Sequence, residues 1–128
     1  MSFRIDLPPE PSPRELSQKV LQVTRLLNMY HAELARILGL QCADIAAMSN
    51  ARYCLQAESH AWRQAMLFVR LYNRLYDCFD GDSVAMYHWM RANNPGLGGI
   101  PHFLLVDHNG LSRLNAHLQQ QQGGCRCS

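Results

Sequence analysis

At 128 residues with a net charge of +2, the chain is long enough for one domain or two small subdomains sharing a core. Apolar residues at 48% and charged ones at 17% exclude a disordered chain, and a core of this size needs neither disulfide nor metal. The weak positive balance permits nucleic-acid binding without arguing for it.

No apolar run reaches the roughly 18 residues that a membrane-crossing helix needs. The opening MSFRIDLPPEPSPRE lacks the basic and apolar segments of a secretory signal, so a cytoplasmic location without membrane contact is expected. That location disfavours structural disulfides. Cys42, Cys54 and Cys78 fall in helical patterns and are expected to behave as small buried hydrophobes, whereas Cys125 and Cys127 lie in a Gly-rich tail. Lys19 is the single lysine, so the other basic residues are arginines, which suit bidentate contacts to phosphate or carboxylate.

Prolines 8, 9, 11 and 13 keep residues 1–12 as an extended arm. Ser12, Pro13 and Glu15 then form a capping-box start for a helix whose apolar positions are Leu16, Val20, Val23 and Leu27. Residues 31–50, HAELARILGLQCADIAAMSN, carry a helix-turn-helix pattern. Ala35 is the small residue where two helices touch, Gly39 supplies the turn, and Leu34, Leu38, Leu40, Ile45 and Met48 face inward. A DNA-reading helix needs polar or basic groups on its outer face. The outward positions here are Gln41, Cys42, Ala43, Ala46, Ala47 and Asn50, mostly small and neutral, and Asp44 opposes phosphate. The candidates for DNA contact are therefore Gln41, Asn50, Arg52 and Arg36.

Residues 52–60 read as a polar joint, with Ser59 placed to cap the next helix. Residues 61–79 form the longest predicted helix. Its apolar stripe is unusually wide and suggests a dimer or partner contact. Arg63, Arg70, Arg74 and Asp77 form a separate stripe on which Arg74 and Asp77 can pair. Gly81 and Asp82 end this helix and cap another over residues 84–92, whose apolar side carries Ala85, Met86, Trp89 and Met90. Asn93, Asn94, Pro95 and Gly96 stop it. Leu97 stands alone before Gly98 and Gly99. Pro101 opens a further helix with Phe103, Leu104 and Leu105 as its buried side. Residues 106–110 read as a turn, residues 111–118 as a last short helix, and residues 119–128 as a loose tail.

The ordered set of Trp89, Asn94-Pro95, Leu97-Gly98-Gly99, Pro101 and Gly110, following a helix-turn-helix pattern, resembles the Xre/MbcA/ParS antitoxin family over residues 16–118. The resemblance implies an all-α fold: a helix-turn-helix domain at 13–58, a helical domain of toxin-binding type at 59–118 and a flexible tail at 119–128. It implies an intracellular bacterial antitoxin, often paired with a RES-type toxin that consumes NAD. The corner carrying Trp89, Asn94, Pro95, Leu97, Gly98, Gly99 and Pro101 would face that toxin, with Trp89 and Leu97 as anchors. Operator DNA and a second copy of the chain are the other implied partners. The tail QQQQGGCRCS departs from the family's pattern.

No enzyme is expected, and no cofactor or metal. Histidines at 31, 60, 88, 102, 108 and 117 show no metal-binding helical spacing, and the Gly98-Gly99 pair lacks the lysine of a phosphate loop. His88 with His102, and Asp107 with His108, are the only pairs with any acid-base possibility. An adaptor or localisation protein that keeps the corner but binds no DNA is the alternative, favoured by the neutral reading face and the odd tail. A free-standing transcription factor is a third possibility.

Overall fold

A computed structural model describes residues 4–107 and 110–122, the last two of these by backbone alone. The described residues are all-helical: α1 (Pro13–Leu26), α2 (His31–Leu38), α3 (Cys42–Ser49), α4 (His60–Cys78), α5 (Ser83–Arg91), α6 (Pro101–Leu105) and α7 (Gly110–Gln122). Two compact units divide the chain, one built from residues 5–69 and the other from Arg4 together with the chain from Arg70 onward.

In the first unit the capping box forms as its residue types require. The Glu15 N–H donates to Ser12 Oγ at 3.1 Å, and the Ser12 N–H donates to Glu15 Oε1 at 3.4 Å. Leu16, Val20 and Val23 are fully buried along α1. The extended arm is pinned by Ile5, which is buried. Ser17 Oγ accepts the Leu55 N–H at 3.0 Å and so ties the segment after α3 to α1.

The α2–α3 pair has the expected turn. Gly39 adopts φ +73°, a left-handed conformation that a side chain would strain. Ala35, Leu34, Leu38, Ile45 and Met48 are buried, as their spacing requires. Leu40 is half-exposed and Ile37 takes the remaining inward place. Each buried aliphatic contributes about 2 kcal/mol, more than the roughly 1 kcal/mol of a helix cap. Apolar burial, then, is what holds the pair together.

The Ser59 cap forms, with the Trp62 N–H donating to Ser59 Oγ at 3.1 Å. On α4, Ala65, Phe68, Val69, Leu71, Tyr72 and Leu75 are all fully buried. Trp62, Met66, Tyr76 and Phe79, on the same wide stripe, are half-buried. Arg4 holds the Asp77 carboxylate bidentately at 3.1 and 3.1 Å. Both side chains are about half-exposed, so the pair contributes under about 1 kcal/mol.

In the second unit α6 packs against both α5 and α7. Met86, Met90, Leu105, Leu111, Leu114 and Leu118 form its core. The last helix runs on to Gln122, so residues 119–122 are helical where a loose tail was expected. Glutamine is a good helix former, and the run simply extends a helix already nucleated by Leu111, Leu114 and Leu118. Of the cysteines, Cys78 is buried as expected, but Cys42 and Cys54 are exposed. Cys42 opens α3 on its outer face, and Cys54 lies in the loop after α3 rather than in a helix. His108, Cys125 and Cys127 lie outside the described residues.

Among the described residues no helix is long and apolar enough to cross a membrane.

Candidate functional site

Asp82 starts α5 by accepting the N–H groups of Val84 and Ala85 at 3.1 and 3.1 Å through Oδ1. After Arg91 the chain turns extended at Ala92. Asn94 then organises everything to Gly99. Its carbonyl accepts the N–H groups of Leu97 at 3.0 Å, Gly98 at 2.9 Å and Gly99 at 3.3 Å. Its own N–H donates to the Gly99 carbonyl at 2.8 Å, closing an antiparallel bridge. Its side-chain Oδ1 accepts the Gly96 N–H at 3.0 Å. Gly98 sits at φ +79° with open space around it, so the turn demands glycine for backbone reasons and not for room. Ile100 leads into Pro101 at the first position of α6, as expected.

The corner is held from behind by α7. Arg113 Nη2 donates to the Leu97 carbonyl at 2.7 Å. His117 stacks on Trp89 with centroids 6.3 Å apart, and Trp89 also meets Phe79 at 6.4 Å. A Cβ on Gly96 would come within 3.2 Å of the His117 ring. At the start of α7, Gly110 lies so close to α6 that a Cβ would stand 1.6 Å from the Leu104 carbonyl oxygen. Four backbone–backbone hydrogen bonds, the Gly96 N–H bond to the Asn94 side chain, one arginine and one histidine thus leave the corner little freedom.

This geometry corrects two expected roles. Leu97 is not an outward knob: it is 4% exposed, because the closed loop turns its side chain into the unit's core. Trp89 is half-buried and acts as a strut between Phe79 and His117. Pro101 is buried, whereas Pro95 and Gly98 are exposed.

The outward apolar groups lie elsewhere. Phe103 is 61% exposed, Val84 64% and Tyr87 42%. Phe103 was expected on the buried side of α6, but Pro101 and Leu105 are buried there, four residues apart. Phe103, midway between them, must point the other way. Val84 and Tyr87 are three apart on one face of α5, and the Arg91 guanidinium lies 4.2 Å from the Tyr87 ring centroid. Sequence reasoning also missed Arg113 and His117. Their spacing of four, on a helix ending the same unit, was the available signal.

The DNA candidates are all exposed but sparse. Gln41 is the N-cap of α3, and its N–H donates to Asp44 Oδ2 at 3.1 Å. Asn50 caps the far end, and Arg52 follows it. Gln41 and Asn50 are nine residues apart, about 13 Å along the helix, with Cys42, Ala43 and Ala46 exposed between them. Arg36 stands exposed on α2. Asp44 places a carboxylate where a helix N-terminus would otherwise receive phosphate.

Of the histidine pairs, His88 is exposed and packs edge-on to Tyr87 at 5.8 Å, while His102 is buried beside Phe103 at 5.7 Å. Asp107 is exposed. Among the described residues no group of three or more His, Cys, Asp or Glu side chains is placed to hold a metal.

The chain matches no family model, and no curated protein is significantly similar to it.

Proposed function

We propose that the chain is an antitoxin that neutralises a protein toxin, of the RES type, by docking over its substrate entrance. The observation that carries this reading is the distribution of exposed apolar surface. Of the large hydrophobic side chains exposed among the described residues, Val84, Tyr87 and Phe103 lie on α5 and α6, the two helices that the corner joins, and only Tyr30 lies elsewhere. Soluble surfaces tolerate single exposed hydrophobes, but a group carried on a braced scaffold suits a partner interface. The residue pattern resembling the Xre/MbcA/ParS family supports the same assignment. Inhibition is steric and requires an interface of standard size, on the order of 1,600 Å² in total. No bond is made or broken, and no cofactor takes part. In this reading the molecule works in the bacterial cytoplasm as a homodimer and represses its own operon. The reading predicts that a RES-type protein is encoded beside the chain, and the test is co-expression with it. The wild-type chain restores growth and cellular NAD, and failure to restore either contradicts the reading.

A second reading is an adaptor that uses the same surface and binds no DNA. The small, neutral outer face of α3 and the Asp44 carboxylate at its start favour it. A gel shift on the chain's own promoter over a salt series separates the two. If operator binding occurs, it rests on few phosphate contacts. Arg36→Gln and Arg52→Gln should then each flatten the salt dependence by about one unit of slope. No shift at any salt concentration leaves the adaptor.

A further inference from the structure

The first unit carries a groove of about 480 Å³ alongside α1. Arg14, Gln18, Gln22 and Arg25 line it from α1. Their spacings of four, four and three put them on one stripe of that helix, opposite the buried stripe of Leu16, Val20 and Val23. Leu21, Met48 and Tyr53 supply apolar lining from α1, α3 and the segment that follows. No lining residue is acidic. Neither the Arg14 nor the Arg25 guanidinium has a hydrogen-bond or ion-pair partner among the described residues. A protein surface usually intersperses charges of both signs, so two uncompensated arginines flanking two carboxamides mark a place built for an anion.

The lining decides which anion. Guanidinium groups take carboxylate and phosphate equally well. Carboxamides both donate and accept, which matches the alternating N–H and C=O groups of a peptide backbone. A deoxyribose-phosphate backbone offers no donors for the glutamine oxygens, and no nucleic-acid backbone offers apolar groups for Leu21 and Met48. Arg14 and Arg25 are eleven residues apart, about 16 Å along the helix. An extended peptide advances about 3.3 Å per residue, so its acidic side chains must stand about five positions apart.

We propose that this groove binds an extended acidic segment of another protein, with two carboxylate residues about five positions apart and an apolar residue between them. The site is separate from the corner and does not depend on the antitoxin reading. The test is fluorescence anisotropy of the full chain with a labelled, end-blocked peptide EALSSE, its neutral analogue QALSSQ and a labelled single-stranded oligonucleotide. EALSSE should bind, weaken as salt rises and lose about fivefold in affinity with Arg14→Gln or Arg25→Gln. The double variant should lose about 25-fold if the arginines act independently. Removing the Arg14 cation from the first turn of α1 does not weaken that helix, and removing Arg25 from its last turn costs under about 1 kcal/mol, so a melting curve close to wild type separates lost binding from lost fold. The proposal is overturned if QALSSQ binds as well as EALSSE, or if the double variant keeps its affinity. It is equally overturned if the oligonucleotide binds through these arginines while EALSSE does not, which makes the groove a phosphodiester site.

Discussion

On the proposed antitoxin reading, Phe103→Glu should abolish toxin neutralisation while leaving the protein folded. Phe103 is the most exposed aromatic on the two helices flanking the corner, and its neighbours Pro101 and Leu105 keep α6 seated without it. On that reading it becomes a buried aromatic anchor in the complex, the kind of group whose loss costs about 2 kcal/mol or more. A carboxylate in its place must also be desolvated, which raises the cost to about 4 kcal/mol, roughly a thousandfold in affinity. The variant's melting temperature should stay within a degree or two of wild type. Co-expression with the toxin should then give neither growth nor NAD recovery. Tyr30→Glu alters an exposed aromatic of the other unit and should leave neutralisation intact. If both variants behave like wild type, the exposed face of α6 is not the docking surface.

Gly110→Ala should be the most damaging single-methyl substitution in the second unit. The added carbon would stand 1.6 Å from the Leu104 carbonyl oxygen, well inside any tolerable contact. The neighbouring atom is backbone and cannot swing aside, so α6 and α7 must separate and uncover Leu105 and Leu111. Overpacking of this kind costs about 3 kcal/mol, a fall of about 10 °C in melting temperature for a chain of this size. Two neighbouring glycines calibrate the result. At Gly98 an alanine meets open space but must adopt φ +79°, costing about 1 kcal/mol. At Gly99 the nearest atoms lie at 3.6 to 3.8 Å and alanine should be close to neutral. Melting curves of the three variants should therefore rank Gly110, Gly98, Gly99 in decreasing damage. Equal melting temperatures would mean that α6 and α7 are not packed this closely.

Local chemistry written over a few residues was readable from the chain. Ser12, Ser59 and Asp82 cap where they should, Pro101 opens α6, and Ala35 with Gly39 forms the expected touch and turn. These features depend on neighbours within about four positions. The direction of single side chains beyond that range was not readable. Leu97 turns inward because Asn94 closes a loop around it and Arg113, sixteen residues later, holds its carbonyl. Phe103 faces out because Pro101 and Leu105 hold the covered side of α6, a helix of five residues whose period was too short to read in the sequence. The apolar stripe on α4 was readable: Ala65, Val69 and Tyr72 are fully buried, and Trp62, Met66, Tyr76 and Phe79 are half-buried. Cys54 looked helical from its neighbours, yet the Ser17 hydroxyl fixes Leu55 and keeps that segment as a loop.

Amide hydrogen exchange on the chain alone, and then bound to the partner it recovers from its native cells, tests the docking surface most directly. Binding through the braced corner should slow exchange across α5 and α6 and leave α1 to α3 unchanged. Protection confined to α1 to α3, with α5 and α6 exchanging as in the free chain, would contradict the account.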